Sequence, residues 1–155
     1  MKAGERALKL SKKLFKQLRP YCKRIEIAGS IRRGSLSPGD IDIVLIPKDK
    51  EKLENFLKKE KYIFIQGGEK ESTWLFHRIK IELYYTNEQE WGAALLAYSG
   101  RRGSNIGLRI IARLKGLKLT QHGLFNRRTG KRIAGKTERE IYKALNRRYK
   151  EPWER

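Results

Sequence analysis

Two aspartates, Asp40 and Asp42, stand one residue apart at the head of the apolar run "IDIVLIP", shortly after the pair Gly29–Ser30 and the arginines Arg32 and Arg33. On an extended strand, residues i and i+2 project to the same face. Both carboxylates are therefore expected to point one way. Burying unpaired carboxylates is costly, so something must neutralise them. Arg32 and Arg33 could do so as an ion-pair network. A hard divalent cation could also do so, because oxygen-only donors with no His or Cys nearby suit Mg²⁺ or Mn²⁺ rather than zinc. Gly29 lets a phosphate approach the backbone, and the turn "SIRRG" presents free N–H groups. Ser30 adds a hydroxyl, and the arginines add planar donors for phosphate oxygens. Metal grip and phosphate grip together describe a magnesium–triphosphate site. A third carboxylate from a neighbouring strand would complete it, and Glu82 in "RIKIELYY" is the candidate. Lys80 shares the polar face of that segment. At this level a simple Lys–Glu contact explains Glu82 as well as a metal does.

These groups need rigid elements to hold them. Residues 5–19 repeat Ala7, Leu8, Leu10, Leu14, Phe15 and Leu18 at helical spacing, with Pro20 as the stop. "RIEIAGS" and "GDIDIVLIP" read as strands, "KDKEKLENFLKKEK" as a helix and "YIFIQ" as a strand. Gly67–Gly68 make a turn. "STWLF" and "RIKIELYY" form a hairpin, in which Ile79, Ile81 and Leu83 alternate with Lys80, Glu82 and Tyr84, the period of a half-buried strand. This half is a mixed α/β sheet. Beyond a boundary near Gln89 to Trp91, "EWGAALLAYSG" and "SNIGLRIIARLKGLKL" read as two helices broken at Ser99–Gly100. "TQHGLFNRRTGKRIAG" reads as a hairpin. "KTEREIYKALN" is a helix opening on the capping-box spacing of Thr137 and Glu140, and "RRYKEPWER" is an extended tail that Trp153 pins to the body. Trp74 is expected to be packing. His77 is expected to be a strand residue and His122 a turn residue, neither of them a ligand.

The chain has 155 residues, 37 Lys plus Arg against 17 Asp plus Glu, and a net charge of +20. Such an excess raises the local concentration of polyanions. Heat-adapted surfaces also carry many charges, but they usually balance the two signs. Cys22 is the only cysteine, which excludes an intramolecular disulfide and a Cys-rich zinc site. The N-terminus has charge throughout and no apolar h-region. No apolar run nears the ~20 residues of a membrane span. The expectation is a soluble, intracellular protein without a membrane partner.

"GSIRRGSLSPGDID" matches the pattern GSxRRGxxxxGDxD and resembles the family X DNA polymerases, the polymerase beta-like nucleotidyltransferases. Gly29, Ser30, Arg32, Arg33, Gly34, Gly39, Asp40 and Asp42 all fall in place. "YSGRRGSNIGLR" is similar to the family's Y-F-T-G-S segment with its following asparagine and arginine, here Gly100, Asn105 and Arg109. "KGLKLTQHGLF" and "TEREIYKALNRRYKEPWER" resemble the rest of its thumb. The resemblance implies an α+β fold: a nucleotidyltransferase palm (residues 1–90, mixed sheet with helices), then a small α/β thumb (residues 91–155). Lyase and helix-hairpin-helix domains have no room.

By the same resemblance the activity is template-directed DNA polymerisation, suited to filling short gaps in repair. A primer 3′-hydroxyl attacks the α-phosphorus of a dNTP in a two-metal nucleotidyl transfer. Asp40, Asp42 and Glu82 are then the catalytic residues and the ligands of two Mg²⁺ ions, which Mn²⁺ can replace. Glu82 is placed by counting nine residues back from Trp91, whereas alignment on "RIKI" would put Lys80 there. Gly29, Ser30, Arg33 and Gly39 grip the triphosphate, Tyr98 and Gly100 line the sugar, and Asn105 meets the base. Arg109 lies near the template. Apart from the resemblance, the basic residues Lys118, Arg127, Arg128, Lys131 and Arg132 fit contacts to DNA phosphates and a solvated hairpin equally well. Ala97 stands where the family usually has an aromatic, which opens the site to ribonucleotides. The implied partners are primed or gapped DNA and a dNTP, taken by a monomer. The alternatives are a non-templated nucleotidyltransferase and a DNA-binding module with a decayed site.

Overall fold

The computed structural model describes all residues, Met1 to Arg155. The chain separates into two compact units, Met1–Thr86 and Asn87–Arg155. The division follows Thr86 because Asn87 to Glu90 already belong to the lead-in of the next helix. The Glu90 N–H donates to both the backbone and side-chain oxygens of Asn87, at 3.2 and 3.1 Å.

In the N-terminal unit, α1 (Ala3–Leu18) places Ala7, Leu10, Leu14 and Leu18 on one buried stripe, and Pro20 falls in a 3₁₀ turn that ends it. Next come β1 (Cys22–Ile27), the single-turn α2 (Gly29–Arg32) and β2 (Ile41–Pro47). Helix α3 (Lys50–Lys59) starts where the Asp49 carboxylate accepts the Lys52 N–H at 3.1 Å. Strands β3 (Ile63–Gly67), β4 (Glu71–Phe76) and β5 (Ile79–Tyr85) complete a five-stranded sheet of order β1-β2-β5-β4-β3. The central pair β2–β5 is parallel and the other pairings are antiparallel. Ile41, Ile43 and Leu45 of β2, with Ile81 and Leu83 of β5, meet the leucines of α1 and α3 in one core. Each such side chain contributes roughly 1.5–3 kcal/mol by leaving water. The even-numbered residues of the same strands, Asp42, Glu82 and Tyr84, are thereby forced onto the opposite face. His77 is not a strand residue: at φ +48° it turns the chain between β4 and β5, its ring edge-on to Phe76.

Trp74 is fully buried, as its packing role required. Its indole N–H donates to Ser72 Oγ at 2.8 Å, Ser72 Oγ lies 2.7 Å from the Tyr85 hydroxyl, and that hydroxyl bonds Glu54 at 2.7 Å. This chain of bonds ties β4 and β5 to α3.

The C-terminal unit contains α4 (Trp91–Ser99), α5 (Arg102–Leu114), β6 (Leu117–Thr120), β7 (Gly123–Asn126), β8 (Arg132–Ala134) and α6 (Glu138–Ala144). The second helix is shorter than its sequence pattern suggested. "LKLT" leaves it to pair with β7, so the expected hairpin becomes a three-stranded sheet. Thr137 Oγ1 caps α6 through the Glu140 N–H at 3.1 Å. The tail is not wholly extended, since Pro152–Glu154 form a 3₁₀ turn closed by reciprocal bonds between Glu151 and Glu154. Trp153 does not pin it, being 66% exposed. Arg155 does, through a buried ion pair to Glu138 at 2.6 Å and a bond from its Nε to the Lys150 carbonyl at 3.0 Å. No helix is long and apolar enough to cross a membrane.

The Trp74 network yields a stability prediction. Ser72→Ala strands a buried indole N–H, which costs about 1–3 kcal/mol. Urea unfolding of the N-terminal unit, followed by tryptophan fluorescence, should show a lower midpoint and an unfolding free energy smaller by that amount. An unchanged midpoint would show that the bond contributes nothing.

Candidate active site

Asp42 and Glu82 face each other across the parallel β2–β5 ladder, in register. Both are half-buried. Asp40 is not on the strand as expected. It lies, exposed, in the bend before β2, because the ladder has no partner for it: pairing with β1 ends at Ile43 and pairing with β5 at Ile41.

The Tyr84 hydroxyl, two residues along β5, reaches both carboxylates. It lies 3.2 Å from Asp42 Oδ1 and also bonds Glu82 Oε2. Lys80 Nζ sits 2.8 Å from the other oxygen, Glu82 Oε1. Glu82 is thus held from both sides by its i−2 and i+2 neighbours, and the Lys–Glu contact that the alternation allowed is present. Burial, then the adjacent Glu82 charge, push the Asp42 carboxyl up to about 6, against the opposing bond from Tyr84. Burial would raise Glu82 as well, but bonds from Lys80 and Tyr84 outweigh it and hold that group below its ordinary value. The Tyr84 phenol is raised well above its usual range by burial and by Glu82.

The Gly-Ser turn is physically joined to Asp42. Gly29 has φ +60°, and a Cβ there would lie 2.2 Å from Asp42 Oδ2. The Ala28 N–H donates to the Asp42 carbonyl at 2.8 Å. A glycine is required both by the left-handed backbone and by the carboxylate against it. Ser30 and Arg33 are half-buried, Arg33 and Arg32 are both engaged by neighbours, and Gly39 is exposed.

No group of three or more carboxylate, imidazole or thiol side chains stands in metal-ligand geometry. Glu82 turns to Lys80 and Tyr84 instead. The donor set itself fits a hard divalent cation: oxygen only, two carboxylates in register, a third in the bend two residues before Asp42, and Asp42 driven up by burial and then by the Glu82 charge.

In the C-terminal unit, Tyr98 and Gly100 are half-buried at the end of α4. The Asn105 amide donates to the Ala97 carbonyl at 2.9 Å and approaches that of Gly100 at 3.5 Å, closing the turn into α5. A Cβ on Gly100 would meet Asn105 Oδ1 at 2.3 Å. The G…N spacing is therefore a packing unit as well as a motif. Arg109, Lys118 and Arg127 line one cavity of about 390 Å³, whereas exposed Arg128 and Lys131 lie outside its lining. Arg132 stacks on the Phe125 ring at 5.4 Å. His122 sits after β6 as a turn residue, its Nδ1 paired with Glu90. Sequence reasoning overlooked Tyr84, although its place on the polar face of "RIKIELYY" was the available signal.

Residues 94–155 match the family model of the DNA polymerase beta thumb. The chain is 28% identical over 142 residues to repair DNA polymerase X of African swine fever virus (Warthog isolate), covering 86% of this chain and 82% of the viral one. It is 38% identical over 73 residues to DNA polymerase IV of Saccharomyces cerevisiae, covering 47% of this chain and 12% of that protein. DNA polymerase lambda of Rattus norvegicus is 25% identical over 158 residues, covering 82% of this chain and 28% of the rat protein.

The Asp42 environment gives a pH dependence of definite sign. Its folded value, about 6, lies above its ordinary 3.8. Stability from the protonated folded form is complete below the lower value and is lost as pH rises through the higher one. Asp42→Asn removes that loss. In EDTA the variant should be more stable than wild type at pH 7.5, by about 1–3 kcal/mol, and should converge with it near pH 4. Urea midpoints at pH 4, 6 and 7.5 measure this, and a pH-independent difference contradicts a buried, charge-crowded Asp42.

Proposed function

The chain belongs to the family X DNA polymerases, and on that footing we propose that it fills short gaps in DNA, adding the dNTP a template base specifies to a primer 3′-hydroxyl. The observation that supports this most is the in-register pair Asp42–Glu82 with the Gly29 turn packed against Asp42. One small surface thereby carries clustered acceptors for cations and a backbone turn open to phosphate. Asp40, Asp42 and Glu82 would hold two Mg²⁺ ions, with Mn²⁺ able to substitute. When bound, such ions make the 3′-hydroxyl more acidic and steady the oxygens of departing pyrophosphate.

The chain's own groups have separate tasks. Ser30, Arg33 and the backbone at Gly29 and Gly39 grip the β- and γ-phosphates through hydroxyl, guanidinium and N–H donors. Glu82 accepts the 3′-hydroxyl proton, for which Lys80 or Tyr84 must first release one of its oxygens. Tyr98 and Gly100 border the sugar, and Asn105 meets the base once its amide leaves the Ala97 carbonyl. Arg109, Lys118 and Arg127, grouped on one cavity, take template phosphates with help from Arg128 and Lys131.

One observation favours a second reading. The Lys80–Glu82 ion pair at 2.8 Å is what a site without metal would retain, as in a DNA-binding module that has lost its chemistry. Extension of a one-nucleotide gap with each dNTP singly separates the readings. Templated addition follows the template base, non-templated transfer ignores it, and a decayed module adds nothing. In the proposed enzyme, Asp42→Ala and Glu82→Gln each lower incorporation by more than about 10²-fold. Affinity for gapped DNA stays within about twofold in both, because phosphate contacts carry it. Normal incorporation by Asp42→Ala sinks the metal assignment. That affinity should also fall linearly with log salt concentration, and a flat response removes the role given to the positive surface.

A further inference from the structure

Strand β3 is an edge of the five-stranded sheet, paired with β4 on one side only. All five of its residues are exposed, and three in a row are large and apolar: Ile63, Phe64 and Ile65, at 57, 42 and 53%. None of them has a place in the polymerase site. Natural sheets ordinarily defend an edge with charge, proline or shortness. The opposite edge, β1, carries Lys23, Arg24 and Glu26. An edge of the C-terminal sheet, β8, has three residues and opens on Arg132. Strand β3 holds no charge and no proline, and its one defence is a bulge at Ile65. Its apolar side chains stand on both faces. Phe64 sits opposite Trp74, ring edge to ring at 5.1 Å, and Ile63 sits opposite Leu75 on the other face. Along the outer side runs a row of N–H and C=O groups that no neighbouring strand pairs. Another backbone matches that alternation of donors and acceptors, whereas nucleic-acid phosphates offer acceptors only.

The flanks of the strand select which backbone. The stretch from Lys59 to Glu71 reads "KEKYIFIQGGEKE". About Ile65 its charges are opposite in sign at equal distances: Lys61 against Glu69, Glu60 against Lys70, Lys59 against Glu71. Lys59, Lys61, Glu69 and Glu71 are exposed, and none of them is held in an ion pair within the chain. A second copy running antiparallel lays the lysine end of one strand beside the glutamate end of the other, twice over. A parallel copy would set like charges together.

We infer that two copies of this chain pair antiparallel along β3, about a twofold axis near Ile65, and join their sheets, in place of the monomer that the family resemblance implied. A self-matching apolar strand with oppositely charged ends is the pattern a twofold contact needs, since the same patch serves both subunits. The strand is about 17 Å long, short of a standard interface, and each copy brings a charge of +20. The dimer is therefore weak and reversible, with a Kd on the order of 10–100 μM at physiological salt. Nothing in this rests on the polymerase reading.

Sedimentation velocity of the full chain without DNA, from about 5 to about 300 μM, should show a monomer–dimer equilibrium. Ile65→Lys puts like charges at the axis and should weaken association by more than about tenfold. Lys59→Glu with Lys61→Glu should weaken it about tenfold, and so should Glu69→Lys with Glu71→Lys, because each sets like charges at both ends. An equal mixture of those two double variants restores opposite charges at both ends, and should associate within about threefold of wild type. All four charged positions are exposed, so the mixture decides the matter even where Ile65→Lys fails to fold. A mixture no tighter than its components overturns the antiparallel pairing. A wild type that stays monomeric throughout overturns the inference, as does a dimer that folded Ile65→Lys leaves intact. A monomeric wild type whose affinity for gapped DNA drops more than about threefold on Ile65→Lys also overturns it, and gives the edge to DNA.

Discussion

Two negative charges in register on neighbouring buried strands are the constraint from which the rest of the N-terminal unit follows. The alternation of β2 and β5 sends Ile41, Ile43, Ile81 and Leu83 to the core and leaves Asp42 opposite Glu82. Like charges across a strand pair oppose folding. The structure answers with Lys80 and Tyr84, the two same-face neighbours that β geometry makes available to Glu82. It answers only in part, since the Asp42 carboxyl is still driven up to about 6. A sheet that tolerates such a pair, when a single Leu or Thr would relieve it, gives up stability at this position.

The short motifs are pieces of packing in their own right. Gly29 is pressed against the Asp42 carboxylate, and Gly100 against the Asn105 amide. In each case a small residue lets a polar side chain come to the backbone, and a methyl group would push it off. The spacing between glycine and polar residue is then fixed twice, once by the turn and once by whatever the polar group later binds.

Much of the fold was legible because it rests on periodicity. The leucine stripe of α1, the alternation in "RIKIELYY" and the Thr137 cap are local patterns with local causes. What could not be read depended on partners distant in sequence. Asp40 left the strand because no neighbour pairs with it there. "LKLT" left its helix for a strand because β7 offered a ladder. Trp153, the largest apolar residue of the tail, is exposed, while Arg155 is buried because Glu138 waits for it seventeen residues back. In the candidate site the carboxylates and glycines were visible as types and spacings. Tyr84 was hidden in plain alternation, since a tyrosine on a half-buried strand has an ordinary explanation until its hydroxyl is seen between two acids.

The charge of the chain bears on how such a site would be filled. A field of +20 ought to favour ionised carboxylates everywhere, yet Asp42 moves the other way. Burial and one neighbour a few ångströms off outweigh many cations spread over a screened surface, where interactions fade beyond ~8–10 Å. Under the proposed function, the attraction of the site for a cation is thus local, while the approach to it crosses a positive surface. A bare divalent ion comes in against that field. The same ion already held by a triphosphate carries net negative charge and comes in with it. Under the proposed function, the surface that gathers DNA therefore favours delivery of metal and nucleotide as one species, and the in-register acids act on the metal only once it has arrived.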